Sequence, residues 1–255
     1  MSSFALCYHA VSERWPATLS VTPTQLADQV SMLAGRGYRG VTLSEAVVHP
    51  AAPRTVAITF DDAYRSVIEL AFPILSEAGF VASVFAPTSY IGQEGAMSWP
   101  GIGDWLHSEY RHELNPLSWE ELARLADAGW EVGSHGRSHA RLTDLDQPAL
   151  DAELGESRAE IERQLSRSCR SLAYPYGERD QRVVASARRA GYTVAASLGH
   201  DWPSPQTERL DWPRTFVNHI DGPLRFRLKV SPLTRRLMAS PAWGVVASIR
   251  RRVRG

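Results

Sequence analysis

The stretch that decides the fold is Thr55-Val56-Ala57-Ile58-Thr59-Phe60-Asp61-Asp62. Its first six residues are apolar or β-branched, which is typical of a short strand buried on both faces. From Ala63 to Ala78, apolar side chains recur at helical spacing, and Gly79 ends this segment. Two adjacent carboxylates are therefore predicted where a buried strand turns into a helix. One can bind a cation and the other can move a proton, although aspartate is also a common helix cap at such a turn.

Two histidines follow a second strand-like run, in Glu131-Val132-Gly133-Ser134-His135-Gly136-Arg137-Ser138-His139. His135 and His139 are four residues apart, a spacing at which both imidazoles can reach one ion from a helical turn. Two surface histidines on a polar loop are the alternative interpretation. Two histidines with one carboxylate are, however, a common set for a catalytic divalent metal that keeps positions open for water and substrate.

A third apolar run, Ser171-Leu172-Ala173-Tyr174-Pro175-Tyr176-Gly177, ends in a Pro-Tyr-Gly turn. With this run, the chain resembles the polysaccharide deacetylases with the NodB homology domain, carbohydrate esterase family 4. Thr-Phe-Asp-Asp at 59–62, His-x-x-x-His at 135–139 and Tyr-Pro-Tyr-Gly at 174–177 match the first three motifs of that family in order. The resemblance covers most of the chain, from residue 4 to residue 220.

Strand-like and helical segments alternate along the chain, which predicts a mainly parallel sheet of the α/β class. The candidate active residues come just after predicted strands, and in a β/α barrel those strand ends form one face. They are His9, Asp61, Asp62, His135 and Tyr176. The resemblance sharpens the expected fold to a distorted (β/α)₇ barrel in a single domain. Residues 1–220 are then the barrel, and residues 221–255 are a basic, amphipathic C-terminal helical tail.

The resemblance also implies a role for each motif. Asp62, His135 and His139 hold a divalent metal, with Zn²⁺ expected and Co²⁺ or Ni²⁺ as alternatives. Asp61 is then the base that activates a metal-bound water, because a bound dication lowers the pKa of water to roughly 7. The backbone N–H of Tyr176 and the metal would stabilise a negative tetrahedral intermediate. A second group must protonate the leaving amine.

The sequence departs from the usual pattern of the family at its third motif, which commonly begins with an arginine that orients the base. This chain has Ala173 there, and the fourth and fifth motifs of the family have no clean match at 211–219. Arg214 is the candidate to supply the missing charge by contacting Asp61. A surface salt bridge is the alternative role for Arg214.

The general acid is predicted from a subgroup that includes the poly-N-acetylglucosamine deacetylases. The chain resembles this subgroup more than the rest of the family, since both have an N-terminal Tyr-His element, here Tyr8-His9, and an Ala-Tyr-Pro-Tyr-Gly motif. Its motif order is permuted, and its N-terminal histidine is the general acid. His9 is therefore the predicted acid of this chain, with His219 as the second candidate.

The segment from Thr88 to Leu117 is long, irregular and rich in aromatic side chains. A loop of this length is unusual in a compact domain unless it is functional or disordered. Aromatic faces pack well on sugar rings, so a lid over a glycan site is one interpretation. Simple packing against the side of the barrel is the other.

Composition and the N-terminal sequence bear on the partner and the location of the protein. The 255 residues include 28 basic and 28 acidic side chains, which gives no support for nucleic acid as the main partner. Cys7 and Cys169 are expected to be buried thiols rather than a disulfide. The N-terminus lacks the pattern of a secretory signal, and no apolar run approaches the roughly 20 residues of a membrane span. A cytoplasmic location is therefore expected.

After Gly222, basic and apolar side chains interleave. This pattern suggests peripheral contact of residues 225–255 with an anionic membrane surface, at the inner face of the membrane. The alternative is a solvated basic face whose apolar side packs on the barrel.

The expected function is a metal-dependent hydrolase that removes N-acetyl groups from amino sugars. The acceptor is an oligo- or polysaccharide or a lipid-linked glycan intermediate. A deformylase or other amidase acting on a small amino sugar is one alternative. A catalytically decayed glycan-binding protein is another, because Ala173 and the missing late motifs depart from the family pattern. The retained carboxylates and histidines argue against decay, since a pure binding module has no need to bury that much charge.

Overall fold

The computed structural model describes residues 3–199, 203, 206–231 and 234. Strands form the centre of the molecule, and helices alternate with them along the chain. The strands are β1 (Phe4–Tyr8), β2 (Ala10–Val11), β3 (Ser20–Val21), β4 (Arg39–Val41), β5 (Thr55–Phe60), β6 (Ser83–Ala86), β7 (Glu131–Ser134), β8 (Ser171–Ala173), β9 (Val194–Leu198) and β10 (Trp212–Phe216).

Seven of these strands close into a parallel barrel in the order β1, β10, β9, β8, β7, β6, β5, and β5 returns to pair with β1. β6 pairs only with Thr59 and Phe60 at the end of β5, whereas β4 pairs with the first half of β5 at 55–57. The ring of strands is therefore irregular at β5. The distorted (β/α)₇ barrel that the sequence predicts is confirmed.

The helices that surround the barrel begin with the capping signals that the sequence contains. Thr22 accepts a hydrogen bond from Gln25 in a capping box, and Ser118 does the same with Glu121. No helix of the described residues is long and apolar enough to cross a membrane. The helices are α1 (Pro23–Gly35), α2 (Leu43–Val48), α3 (Phe72–Glu77), α4 (Trp119–Asp127), α5 (Gln147–Leu165), α6 (Gln181–Arg189) and α7 (Pro223–Lys229).

Alternation along the strands decides which side chains enter the barrel. Ala57 lies in the apolar cluster inside the barrel, and its neighbours along β5 pack outward against the helices. Asp61 continues the inward series of Ala57, because it is an even number of residues further on. On β10, Trp212 lies in the same inner cluster, and Arg214 is the next inward position. Asp61 and Arg214 are thus directed to the barrel axis from two strands that both pair with β1.

Two parts of the sequence-based prediction differ from the structure. Strand β10 was not predicted, because Pro213 and Arg214 interrupt the apolar pattern of a buried strand. The helix predicted from Ala63 begins later, with a π-helical turn at Val67–Ala71 that leads into α3. Asp62 and Ala63 have φ of 69° and 53°, a left-handed conformation that cannot belong to a right-handed helix.

The start of the predicted tail packs on the barrel. Phe226 and Val230, in and just after α7, are buried in the same apolar core as the outer faces of the strands. The rest of the predicted tail, residues 232–233 and 235–255, lies outside the described residues. Cys7 and Cys169 are both free and buried, as the sequence predicts.

We expect two glycines to respond in opposite directions to the same substitution. A Cβ on Gly133, in β7, would lie 2.5 Å from both Phe85 and the Ser171 hydroxyl, whereas a Cβ on Gly155, in α5, would meet nothing within 4 Å. Gly133→Ala should lower the free energy of unfolding by about 1–3 kcal/mol through overpacking. Gly155→Ala should raise it by about 0.5–1 kcal/mol, since alanine favours the helix. Chemical denaturation measures both, and equal effects would contradict this packing of β7.

Candidate active site

Two adjacent carboxylates are buried at the carboxyl end of β5. Asp61 and Asp62 are only 2% and 3% exposed. The left-handed backbone at Asp62 separates the two side chains, so that each meets different partners. An ionised carboxylate is costly to bury unless it is paired or hydrogen-bonded. The partners of these two residues therefore define the site.

Arg214, from β10, forms a two-pronged ion pair with Asp61. Its Nη1 and Nη2 donate to Asp61 Oδ1 and Oδ2 at 2.6 and 2.8 Å, and Nη1 also donates to the hydroxyl of Thr59 at 2.9 Å. Arg214 is 1% exposed. The contact predicted between Arg214 and Asp61 is thus present as a buried, bidentate pair, and the surface salt bridge is excluded.

The pair keeps Asp61 ionised. Burial raises the pKa of Asp61, but the charge of Arg214 and the nearby His135 outweigh it and hold the pKa at about 2. The thiol of Cys7, which is fully buried, donates to Asp61 Oδ2 at 3.4 Å. The carboxylate is therefore oriented from the barrel side and is ionised at neutral pH, as a proton acceptor must be.

Asp62 faces two imidazoles. Its Oδ1 lies 3.4 Å from Nε2 of His135 and 3.2 Å from Nε2 of His139. The Nδ1–H of His135 donates to the carbonyl of Ala173 at 2.7 Å. A carbonyl oxygen only accepts, so Nδ1 carries a proton and Nε2 faces Asp62. When the ring is neutral, Nε2 offers its lone pair there, as a metal ligand must.

This arrangement fits a divalent cation. Ligand atoms of Asp62, His135 and His139 lie within 4.8 Å of one another, and among the described residues Asp62 Oδ1 has no hydrogen-bond partner. Lone pairs that converge in this way repel unless a cation lies between them. The separations of 3.2 and 3.4 Å are those of neighbouring ligands around an ion bound at about 2.0–2.2 Å.

The two histidines lie on a loop and not on the helical turn that their spacing suggests. After β7 the chain turns through Gly136, with φ of 75°, and His139 itself has φ of 60°. Glu153, from α5, holds this loop, since its Oε1 accepts from the backbone N–H groups of Arg137 at 2.8 Å and Ser138 at 2.6 Å. A Cβ at position 136 would lie 3.0 Å from the same oxygen, so the glycine allows the close approach.

Sequence reasoning did not single out Glu153. The available signal was its position in α5, where it falls on the buried stripe together with Leu150, Leu154 and Ile161. A carboxylate on the buried face of an amphipathic helix requires a partner. Here the partner is the backbone of the loop that carries both histidines.

His9 lies beside Asp61. A ring nitrogen of His9, the sulfur of Cys7 and a carboxylate oxygen of Asp61 are all within 4.8 Å of one another. The imidazole is half-buried and packs edge-on against Phe216 at 5.4 Å, and burial lowers the pKa of His9. The structure therefore places His9, which was predicted as the acid, next to the predicted base.

His219, the second candidate for the acid, lies elsewhere. It is exposed in the turn between β10 and α7, and its backbone N–H donates to the carbonyl of Thr18. Neither cluster of possible metal ligands in the described residues includes His219. The chain has already left the rim of the barrel at this position, so the structure does not support His219 as a site residue.

Aromatic side chains surround His139. The ring of Tyr176, which follows β8, lies at 4.7 Å and 73° to it, and Trp99 stacks on it at 4.2 Å and 17°. The guanidinium of Arg141 lies 4.1 Å above Tyr176. Among the described residues, none accepts a hydrogen bond from the backbone N–H of Tyr176. This N–H group is therefore available to a ligand, as its predicted role requires.

The loop from Thr88 to Leu117 forms a wall of the site and is tied to it at both ends. Thr88 N–H donates to the carbonyl of Gly136, and Leu117 N–H donates to the carbonyl of Ala63. Between these ends the loop contains two 3₁₀ turns, at Gly103–His107 and Glu109–Leu114. Its aromatic residues pack on Trp15 and Tyr64 beside the barrel. Side packing is therefore present, and contact with a glycan stays a prediction.

The sequence profile of the polysaccharide deacetylase family matches residues 49–195, more than half of the chain. The chain belongs to the polysaccharide deacetylase family and is a hydrolase. Two relatives are both called poly-beta-1,6-N-acetyl-D-glucosamine N-deacetylase. The one from Staphylococcus epidermidis is 24% identical over 245 residues, which are 86% of this chain and 80% of that protein. The one from Staphylococcus aureus is 23% identical over 244 residues, 85% of this chain and 79% of that protein.

Solved structures share the fold. A deacetylase from Streptococcus pyogenes in complex with acetate has a TM-score of 0.76 at 19% identity and covers 91% of this chain and 99% of that chain. A polysaccharide deacetylase from Bacillus cereus has a TM-score of 0.75 at 20% identity, with 91% and 69% covered. IcaB from Ammonifex degensii has a TM-score of 0.71 at 21% identity, with 92% and 97% covered. The barrel is therefore the family fold over most of the chain.

Glu153→Gln should weaken the binding of a divalent metal. The substitution removes the charge that holds the N–H groups of Arg137 and Ser138, so the histidine loop loses its fixed orientation. A loss of about 10- to 100-fold in Zn²⁺ affinity is expected. Titration calorimetry on metal-free protein measures it. Glu156→Gln is the matched control, because Glu156 is on the same helix but pairs with Arg137 at the surface. Equal affinities of the two variants would contradict a positioning role of Glu153.

Proposed function

We propose that this protein removes N-acetyl groups from amino sugars of an oligo- or polysaccharide. The observation that carries the proposal is the pair of buried carboxylates, in which Asp61 is held ionised by Arg214 while Asp62 joins two histidines in a set that fits a divalent cation. The proposed base and the proposed metal ligands are thus adjacent. The relatives named poly-beta-1,6-N-acetyl-D-glucosamine N-deacetylases support an N-acetylglucosamine polymer as the substrate class.

Asp62, His135 and His139 would hold the cation, with Zn²⁺ expected from two histidines and one carboxylate. A bound divalent cation supplies Lewis acidity, which lowers the pKa of water to roughly 7 and polarises an acyl carbonyl. The hydrogen bond from His135 to the carbonyl of Ala173 fixes its ring for this task. Co²⁺ and Ni²⁺ accept the same ligands and are the alternatives.

The side chains around the cation site supply the proton transfers. Asp61 accepts a proton from the water that attacks the acyl carbon. The backbone N–H of Tyr176 donates to the acyl oxygen as it becomes negative. His9 gives a proton to the nitrogen when the carbon–nitrogen bond breaks, so that the products are acetate and a free amino sugar. Arg214 positions Asp61 throughout.

Half-buried aromatic rings near the site favour a sugar over other amides. Tyr90, Trp105, Tyr110 and Tyr176 each leave part of a ring accessible. The apolar faces of pyranose rings pack on such surfaces. A cytoplasmic location and a lipid-linked glycan as acceptor also belong to the proposal. Both rest on the sequence.

Acetate release tests the proposal directly. Zn²⁺-loaded protein should release acetate from N-acetylglucosamine oligomers, and removal of the metal by a chelator should abolish the release. Asp61→Asn should lower the rate by at least about 100-fold, because an amide cannot accept the proton. Its metal content and melting temperature are the controls for an intact site. The same substrates with N-formyl groups test the deformylase alternative.

Three results would count against the proposed deacetylase function. Full activity of Asp61→Asn would remove the assigned base. A bound metal without acetate release, together with formate release, would favour the deformylase. A protein that binds the oligomers, binds no metal and releases no product would favour the glycan-binding alternative.

His9→Ala and His219→Ala should differ. If His9 protonates the leaving amine, its loss should lower kcat by about 10²- to 10⁴-fold. The exposed His219 should tolerate the change within about twofold, since surface substitutions have small effects. Steady-state kinetics on the same oligomer measures both, with metal content as the control. A larger loss in His219→Ala would reverse the assignment.

A further inference from the structure

Helix α7 is apolar on two sides. Phe226 and Val230 face the barrel and are 0% and 1% exposed. Leu224 and Leu228 are four residues apart, hence on one face, and they are 71% and 52% exposed. Ile220, just before the helix, is 58% exposed. The outer side of a surface helix is normally polar, so this apolar face indicates contact with a partner.

A basic groove lies beside these leucines. We call it the α7 groove, and its volume is about 520 Å³. It is lined by Leu224, Leu228, Tyr38, Val230, Ser231, Arg36, Arg54 and Arg227. Each of the three arginines is exposed and forms no salt bridge with another described residue. The groove therefore combines a free positive charge with an apolar wall.

The other cations of α7 are already engaged. Arg225 and Lys229 both pair with the carboxylate of Asp221, which is fully buried. They hold the helix on the barrel, and the carboxylate of Asp221 offsets one of their two positive charges. Arg227 is not among them and lines the groove instead. The positive charge of the groove is thus not a by-product of the contacts that dock the helix.

We propose that the exposed face of α7 and the α7 groove bind the surface of an anionic phospholipid membrane. Leu224 and Leu228 would enter the boundary between headgroups and acyl chains, while the arginines contact lipid phosphates. Charge complementarity is the basis for this partner. Each arginine near an anionic surface contributes about a fivefold gain in affinity, which is the effect of about 1 kcal/mol.

The main competitor for the groove is the chain's own C-terminal segment. Residues 232–255 contain six arginines and no aspartate or glutamate. A segment of this charge is repelled by three unpaired arginines. An anionic surface instead attracts both the positively charged segment and the arginines of the groove. The charges therefore favour the membrane over the segment as the occupant.

The groove lies away from the catalytic residues. Arg36 and Tyr38 precede β4, and Arg54 precedes β5, so they are at the amino ends of the strands. Asp61 and His135 follow the carboxyl ends of β5 and β7. Attachment through the groove leaves the mouth of the site open to solution. The proposal does not depend on the proposed function, and a bound protein keeps access to soluble glycans.

Vesicle sedimentation of the full-length chain tests the proposal. The protein should sediment with phosphatidylcholine vesicles that contain 30% phosphatidylglycerol but not with pure phosphatidylcholine, and salt should weaken the binding. The triple variant Arg36→Gln, Arg54→Gln and Arg227→Gln should bind at least tenfold more weakly. The double variant Leu224→Ser and Leu228→Ser should also lose binding. A circular dichroism melt of each variant controls for folding.

A matched triple variant separates the groove from overall charge. Arg124→Gln, Arg170→Gln and Arg209→Gln remove the same charge from exposed arginines elsewhere, and binding should stay within about twofold. The proposal is wrong if both triple variants lose binding equally. It is also wrong if neither triple variant loses binding while the combined variant Arg250→Gln, Arg251→Gln and Arg252→Gln abolishes it. Absence of binding to anionic vesicles would also overturn it. Inhibition by inorganic phosphate without any effect of the leucine substitutions would assign the groove to a soluble anion instead.

Discussion

The burial of two adjacent carboxylates at the end of β5 is the constraint on which the rest of the structure depends. An uncompensated buried charge costs roughly 3–5 kcal/mol, so each aspartate needs its own partner. Asp61 obtains it from Arg214 on β10, and Asp62 shares a candidate cation site with the histidine loop after β7. These strands are distant in the sequence and meet only when the barrel closes. Closure of the barrel and assembly of the site are therefore one event.

Local signals account for most of the fold. Strand β5 was predicted at its observed bounds, because the apolar pattern lies within the segment itself. Helices α1 and α4 begin at capping boxes that are likewise local in the sequence. Strand β10 carries no such signal, since Pro213 and Arg214 make it look polar. Arg214 is acceptable inside a barrel only because Asp61 lies opposite it. That partner is 153 residues away in the chain, so no local pattern can reveal the strand.

The two candidates for the acid show what spacing alone leaves open. His9 and His219 both come after strands that are neighbours in the barrel. His9 is the first residue after β1, as Asp61 and His135 are after β5 and β7. His219 is the third after β10, and at roughly 3.3 Å per residue the chain moves well past the rim in that distance. The length of chain beyond a strand end therefore decides which side chains can converge.

Backbone strain explains the errors that remain. Of the six non-glycine residues with positive φ in the described part of the chain, four are at the site: Asp62, Ala63, His139 and Tyr176. Each costs roughly 1–2 kcal/mol and persists only because its surroundings hold it. The pair with Arg214, the bonds to Glu153 and the stack on Trp99 are such contacts. The predicted helix start at Ala63 and the predicted helical turn at His139 both assumed right-handed local geometry. They are wrong because tertiary contacts impose the left-handed form at these residues.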